Sequence, residues 1–106
     1  MNIAIFCGQL ADDPEVRYTA TGKAVTTFTL IIDREGQGKD YIPVVTWERL
    51  AESCGNRLSK GQTVAVTGRI SYQRYTDQTG QRRTSCEVVA SNVEFGGITN
   101  NYVNPF

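Results

Sequence analysis

Apolar and polar residues alternate most regularly in the last third of the chain. Residues 63–75 (TVAVTGRISYQRY) and residues 82–93 (RRTSCEVVASNV) are rich in β-branched and aromatic side chains, and a polar, glycine-containing segment, TDQTGQ, separates them. Alternating β-branched and aromatic residues that are bounded by turn residues are typical of paired strands. The sequence therefore predicts a long β-hairpin in this region.

The first strand of this hairpin presents two faces of different chemistry, because successive side chains of a strand point to opposite sides. One face is mostly apolar and is predicted to lie in a core; it carries Val64, Val66, Gly68, Ile70 and Tyr72. The other face is polar and carries Thr67, Arg69, Ser71, Gln73 and Tyr75. Hydrogen-bond donors, a cation and an aromatic ring on one surface suit a flexible anionic polymer with flat bases, so this face is predicted to bind single-stranded nucleic acid.

Three more strands are predicted before the hairpin, at residues 1–10, 24–33 and 41–46. Each is rich in apolar residues and is bounded by a polar segment that contains glycine or proline. Residues 15–19 (EVRYT) are expected to follow an extended path between the first two of these strands.

A helix is predicted over residues 47–58 (WERLAESCGNRL), where the apolar residues follow helical spacing, with Thr46 as its N-cap. The order strand, strand, strand, helix, strand, strand describes the all-β OB-fold, a five-stranded Greek-key barrel with one helix between strands 3 and 4. Another small β-barrel, such as an SH3-like fold, is the alternative, but a helix of about three turns favours the OB-fold. Residues 1–95 are expected to form this domain and residues 96–106 a short flexible C-terminal tail.

Composition places the chain among single-domain proteins without a strong overall charge. It has 106 residues, with 11 Lys and Arg against 11 Asp and Glu. No global positive field therefore indicates a nucleic-acid partner, although a neutral molecule can still carry a local positive groove. No apolar run approaches the roughly 20 residues of a membrane span, and the N-terminus lacks a signal pattern. We expect a soluble protein that stays in the cytoplasm, where it is made.

The cysteine and histidine content argues against metal binding and catalysis. Cys7, Cys54 and Cys86 are widely spaced, no CxxC pair occurs, and histidine is absent from the sequence. A disulfide framework or a zinc site is therefore not expected. The missing histidine also removes the commonest general base. The sequence predicts a protein that is not an enzyme and needs no cofactor.

A nuclease would need clustered carboxylates to hold its metal ions. The dense carboxylate group of the sequence is Asp12, Asp13 and Glu15. Because this group surrounds Pro14 in a predicted turn, we expect it to shape a loop rather than to bind metal.

Aromatic residues supply the candidate site. Tyr41 and Trp47 are six residues apart, so an unbroken strand would place both rings on one face, about 20 Å apart. Tyr75 lies on the polar face of the hairpin strand, and the nearby cations are Lys60, Arg69 and Arg74. Stacking of one base on such a ring contributes about 1–3 kcal/mol and tolerates any base, because every base has a π-face. Trp47, at the strand-to-helix junction, fits core packing equally well.

Several motifs, in order, resemble the bacterial single-stranded DNA-binding protein family, including its phage-encoded members. They are GQL at 8–10, DPEVRYTATGKAV at 13–25, FTL at 28–30, VVTWERLAE at 44–52, KGQTVAVTGRI at 60–70, YTDQTGQRR at 75–83 and EVVA at 87–90. The resemblance covers about residues 1–95.

This resemblance implies an OB-fold that assembles as a homotetramer and coats single-stranded DNA, without sequence specificity, in replication, recombination and repair. It implies that Tyr41, Trp47 and Tyr75 stack on bases, which favours an exposed Trp47. The basic positions that contact DNA in the family correspond here to Arg17, Lys60 and Arg74. The first strand, from Asn2 to Phe6, would build the dimer contact, and the expected location is the bacterial nucleoid or a phage-infected host.

The chain departs from the family pattern at two places. The segment REGQGKD at 34–40 lacks the aromatic residue that many members carry there, so a lower affinity or a smaller site is expected. The usual tail ends in an acidic tip, whereas here no acid follows Glu94 and the last residues are Asn104, Pro105 and Phe106. Replication and repair proteins are the candidate protein partners, but the acidic tip that would recruit them is missing from this sequence.

Two other binding functions are compatible with an OB-fold. One is a primosome-type interaction module, a dimer that bridges replication proteins and binds DNA secondarily. The other is an RNA-binding domain of the cold-shock type, against which the helix after the third strand and the lack of clustered surface phenylalanines argue. A mass measured in solution distinguishes the dimeric module from the coating tetramer.

Overall fold

The computed structural model describes residues 1–95, and the predicted tail at 96–106 lies outside the described residues. The described residues form β1 (Ala4–Leu10), β2 (Glu15–Tyr18), β3 (Ala24–Asp33), β4 (Lys39–Trp47), α1 (Glu48–Arg57), β5 (Thr63–Thr76) and β6 (Arg82–Phe95). The segment that was expected to be merely extended is thus a short strand, β2. The predicted third and fourth strands are β4 and β5, and the helix lies between them as predicted.

The strands form a closed barrel. Their order in the sheet is β1-β5-β6-β4-β3-β2, and β1 also pairs with β3, which closes the ring and leaves β2 outside it on β3. All pairings are antiparallel except β4 with β6, where Val44 pairs with Val88 and Val45 with Val89. A closed ring with a helix at this point is the predicted OB-fold.

The barrel interior is filled by the apolar residues of alternating positions. Its buried cluster consists of Leu10, Phe28, Leu30, Val44, Cys54, Leu58, Val64, Val66, Val88 and Val93. Burial of apolar surface of this kind is the main stabilising contribution to a small domain. Cys54 and Leu58 come from α1 and its end, so the helix covers one opening of the barrel.

Thr46 joins the barrel to the helix. The prediction that it caps the helix N-terminus is wrong. The cap position is Trp47, which makes no side-chain capping hydrogen bond. Thr46 is fully buried, and its Oγ1 donates to the carbonyl oxygen of Thr26 at 2.8 Å. Thr26 Oγ1 in turn donates to the carbonyl oxygen of Ala51 at 2.7 Å. Because buried hydroxyl groups require partners, these bonds fix β3, β4 and α1 together at the point where Trp47 emerges.

The β5–β6 hairpin projects beyond the barrel. Its pairing runs on to Thr76 and Arg82, whereas the flanking strands stop earlier: β1 pairs with β5 only as far as Gly68, and β4 with β6 only at Val88 and Val89. Past these points neither side of the hairpin is covered. The prediction that Tyr72 lies in the core is therefore wrong, and 71% of this residue is exposed.

No helix within residues 1–95 is long and apolar enough to cross a membrane.

Candidate nucleic-acid interface

A transverse row of side chains connects β2, β3 and β4. Arg17 pairs with Val25, and Val25 pairs with Trp47. Directly paired residues of antiparallel strands point to the same face. Since neighbouring strands lie 4.7–4.9 Å apart, the Cα atoms of Arg17 and Trp47 are about 10 Å apart. A cation and an indole ring thus share one outward surface.

Tyr41 lies on the same side of β4 as Trp47. Ile42, Val44 and Thr46 lie on the opposite side of the strand and line or approach the core. Of the residues between the two rings on their own side, Pro43 is exposed and Val45 is buried. Tyr41 is 60% exposed and Trp47 is 43% exposed. Six residues of strand separate the two rings by about 20 Å. Trp47 therefore belongs to the surface and not to the core.

The projecting hairpin continues this surface. Val45 pairs with Val89, which pairs with Arg69, so Arg69 points to the same side as Trp47. Every second residue of β5 after Arg69 shares that side, which brings in Tyr75, 51% exposed. We call this continuous surface the outer face, and its predicted site residues are Arg17, Tyr41, Trp47, Arg69 and Tyr75.

Two other predicted site residues lie elsewhere. Arg74 pairs with Thr84 and points to the opposite side of the hairpin from Tyr75. Lys60 lies in the loop between α1 and β5, where its backbone N–H donates to Oδ1 of Asp13 at 2.9 Å. That bond holds Lys60 beside the β1–β2 connection, at one end of the barrel.

The outer face is not uniformly positive. The Nη2 of Arg17 lies 2.7 Å from Oε2 of Glu15, and both side chains are exposed. A groove of about 320 Å³ beside this pair is lined by four carboxylates and by neutral residues of β3 and β4; the carboxylates are Asp12, Asp13, Glu15 and Glu87. This groove is therefore a negative region of the outer face, and the cations Arg17 and Arg69 lie on strands at either side of it.

Arg83 is a further cation of the outer face that sequence reasoning missed. It pairs directly with Tyr75 across the hairpin, and its Nε donates to Oδ2 of Asp77 at 2.8 Å. Hydrogen bonds from Thr79, Arg83 and Gln81 hold the pKa of Asp77 at about 2, so this carboxylate stays ionised and keeps the guanidinium in place. The available signal was the turn TDQTGQ, because pairing of Thr76 with Arg82 sets Tyr75 against Arg83.

Tyr72 was missed as a surface ring for a different reason. Alternation assigned its side of the strand correctly, but the interior of the barrel ends before this residue. Its exposure makes it a second aromatic residue of the hairpin that is open to a ligand.

The remaining reactive groups offer no catalytic arrangement among the described residues. No cluster of three or more His, Cys, Asp or Glu side chains within 1–95 could hold a metal ion. Burial raises the pKa of the Cys54 thiol to about 11, so this thiol stays protonated near neutral pH. Exposed rings with flanking cations are instead suited to binding flat bases joined by phosphates.

Comparison with known proteins agrees with this chemistry. The model of the "Single-strand binding protein family" matches residues 1–96. A "Single-stranded DNA-binding protein" of Caldanaerobacter subterraneus subsp. tengcongensis is 45% identical over 101 residues, which are 90% of this chain and 67% of the relative. "Single-stranded DNA-binding protein 3" of Clostridium acetobutylicum is 44% identical over 109 residues, 95% of this chain and 76% of the relative. "Single-stranded DNA-binding protein A" of Bacillus subtilis is 43% identical over 101 residues, which are 90% of this chain and 59% of the relative.

Proposed function

The chain belongs to the single-strand binding protein family, and we propose that it binds and coats single-stranded DNA without sequence specificity. The observation that carries this function is the outward orientation of Tyr41, Trp47 and Tyr75 on one continuous face. The named relatives favour DNA coating over the primosome-type alternative, because they are called single-stranded DNA-binding proteins. Its role is binding and not catalysis.

Bases stack on the three rings while phosphates lie against cations. Each stacked base contributes about 1–3 kcal/mol, and a ring accepts any base. Arg17 and Arg69 lie on the same face as the rings, and Arg83 lies directly opposite Tyr75. Duplex DNA keeps its bases paired and stacked, so it cannot use the rings. Preference for single strands follows from this difference.

The acidic groove directs the path of the strand. Its carboxylates lie between the cations, where a phosphate would meet repulsion and a neutral base would not. The strand therefore turns its bases toward the centre of the outer face and its phosphates toward Arg17, Arg69 and Arg83. Arg74 and Lys60 lie away from this central path and contact DNA only where it continues past the hairpin or the barrel end.

The chain assembles through β1, as a homotetramer built from dimers. Ile3 and Ile5 point outward from the region Asn2 to Phe6 and are 63% and 68% exposed. Exposed apolar patches of this kind mark interaction surfaces. The side chain of Asn2 accepts from the backbone N–H of Ile70 at 3.0 Å and donates to its carbonyl oxygen at 2.9 Å, which holds the N-terminal residues beside β5. A mass measured in solution tests this: Ile5→Asp is expected to yield a smaller species than the parent protein.

We place this activity on exposed DNA during replication, recombination and repair in the bacterial cytoplasm. A coating protein protects single strands there and leaves them accessible to replication and repair enzymes. The tail at residues 96–106, where the resemblance would place the recruitment of such enzymes, lies outside the described residues.

A titration of end-labelled oligo-dT, followed by fluorescence anisotropy, tests the function. Tight binding is expected, with duplex DNA of the same length failing to compete. Affinity should fall with salt at a slope of roughly −0.7 per neutralised phosphate. Equal competition by duplex would contradict the proposal, as would the absence of binding.

A further inference from the structure

The projecting hairpin has a second face, of which the function described above uses only Arg74, at the point where the strand continues past the hairpin. This reverse face consists of Tyr72, Arg74, Thr76, Arg82, Thr84 and Cys86, which pair across the two strands as Tyr72 with Cys86, Arg74 with Thr84 and Thr76 with Arg82. All six residues are exposed. Since neither β1 nor β4 reaches this part of the hairpin, the reverse face is open to a ligand.

Two arginines of this face, Arg74 and Arg82, have no counter-charge among the described residues. Within residues 1–95, neither Arg74 nor Arg82 has a carboxylate within the 4.0 Å of an ion pair, whereas Arg83 is paired with Asp77. Arg74 on β5 and Arg82 on β6 are diagonal neighbours on the same face, because Arg82 pairs with Thr76, two residues after Arg74. Like charges at diagonal positions, whose Cα atoms are about 7–8 Å apart, repel each other. An anion placed between them would remove that repulsion.

The shape of the surface provides room for such an anion. A groove of about 470 Å³ is lined by Arg74, Tyr75, Thr76, Arg82, Arg83 and Thr84, with no carboxylate among them. The threonine hydroxyls supply neutral donors beside the two guanidiniums. Because Tyr75 and Arg83 belong to the outer face, the groove reaches both sides of the hairpin.

Tyr72 adds a stacking ring beside this groove, although it is not one of the residues that line it. It is the most exposed tyrosine among the described residues, and it precedes Arg74 by two positions on the same side of β5. The Cα atoms of the two residues are therefore about 7 Å apart along the strand. This repeats on the reverse face the combination of ring and cation that Tyr75 and Arg83 provide on the outer face.

We propose that the reverse face of the hairpin is a second subsite for single-stranded DNA, in which a base stacks on Tyr72 and phosphates lie between Arg74 and Arg82. The strand passes over the edge of the hairpin through the shared groove, so that one DNA molecule contacts both faces. The inference rests on the proposed function, since it extends the path of the same ligand. A second copy of this chain is the competing occupant, because its acidic groove could face the two arginines.

Length-dependent binding tests the subsite. Oligo-dT from about 4 to about 16 nucleotides spans the site sizes of single OB-folds. A short oligomer that occupies only the outer face should bind Tyr72→Ala as tightly as the parent protein. The longest should bind the variant about 5- to 150-fold more weakly, the loss of one stacked base. Tyr72→Phe keeps the ring and should restore the affinity, and Tyr18→Ala, which removes a tyrosine exposed on β2, should have no effect at any length.

The contribution of the arginine charges to the second subsite is tested with a further pair of variants. Arg82→Gln should lower the salt slope by about 0.7 with long oligomers and leave it unchanged with short ones. Arg49→Gln, on the solvent-facing side of α1, is the matched control and should change neither slope. Because Tyr72 and Arg82 are exposed, both variants are expected to fold, and circular dichroism verifies this.

The outcomes separate the inference from the function on which it rests. Failure of the parent protein to bind oligo-dT would remove both. Binding that Tyr75→Ala weakens and Tyr72→Ala leaves unchanged at every length would overturn the second subsite alone. A smaller mass of Tyr72→Ala in solution would overturn it too, because the ring would then contact another copy of the chain.

Discussion

The Nε of Arg83 lies 2.8 Å from Oδ2 of Asp77 at the tip of the projecting hairpin. The other carboxylate oxygen of Asp77 accepts hydrogen bonds from the side chain and the backbone N–H of Thr79 and from the backbone N–H of Gln81. One ionised side chain therefore shapes the turn and orients a cation of the outer face. Loss of its charge should disturb both.

The hairpin tip is predicted to lose order in acid. Hydrogen bonds from Thr79 and then Arg83 lower the pKa of Asp77 from its ordinary 3.8 to about 2. A lowered folded-state pKa stabilises the fold above pH 3.8, and this contribution is lost as the pH falls through about 2. The carboxyl ¹³C shift of Asp77 should titrate with a midpoint near 2. Thr79→Ala should raise that midpoint; a midpoint of 3.8 in the parent protein would contradict the assignment.

Glu15→Gln is predicted to strengthen DNA binding. Glu15 competes with phosphate for the guanidinium of Arg17, and it adds negative charge to the acidic groove. Exposed ion pairs are worth only about 0–1 kcal/mol, so an increase in affinity of up to about 5-fold is expected, with a steeper salt slope. Titrations at several salt concentrations measure both. The control is Glu52→Gln on α1, and unchanged or weaker binding by Glu15→Gln would argue against competition.

Tyr75→Ala is predicted to weaken oligo-dT binding by about 1–3 kcal/mol, because one stacking surface is lost. The residue is 51% exposed, so the fold should persist. Tyr18→Ala provides the matched control: Tyr18 is 64% exposed, but it pairs with the buried Ala24 and points away from the outer face. If folded Tyr75→Ala binds as tightly as the parent protein, Tyr75 does not belong to the site.

Gly68→Ala is predicted to destabilise the barrel by about 1–3 kcal/mol. A Cβ at Gly68 would collide with the carbonyl oxygen of Val89, and backbone of a paired strand cannot move aside cheaply. At Gly55 a Cβ would meet Cγ2 of the exposed Val16 at 2.7 Å and Oγ1 of Thr26 at an ordinary contact distance of 3.4 Å, with no backbone atom among these contacts, and alanine improves helix propensity. Thermal unfolding of both variants should show a large loss for Gly68→Ala and little change for Gly55→Ala. Equal melting temperatures would refute the steric argument.

The element order, the fold and the shared side of Tyr41 and Trp47 follow from local patterns in the sequence, whereas only the family resemblance favoured an exposed Trp47. The errors arose where the outcome depends on distant partners. Tyr72 was assigned to the core because alternation defines a side of β5 but not the point where β1 and β4 stop covering it. Thr46 has a good capping side chain, but its hydroxyl is buried against Thr26 of a neighbouring strand.

In the candidate site, too, some positions follow from local spacing and others depend on distant partners. Sequence spacing separated Tyr75 from the inward residues of β5, and it would also have placed Arg74 on the opposite side. Closeness in the sequence to Tyr75, and then the resemblance to a family, nevertheless grouped Arg74 with the rings, because neither carries information about faces. The position of Arg83 required the register across β5 and β6, which the turn determines. The ion pair of Glu15 and Arg17, two residues apart on β2, is compatible with alternation along one strand.

Emission of Trp47 during titration with oligo-dT tests the central claim most directly, because this is the single tryptophan of the chain and it lies on the outer face. Stacking of a base on the indole ring is predicted to quench the emission, saturably, and added salt is predicted to restore it. Duplex DNA should leave it unchanged. Emission that stays constant at saturating oligo-dT would show that the strand does not stack on Trp47 and would contradict the account.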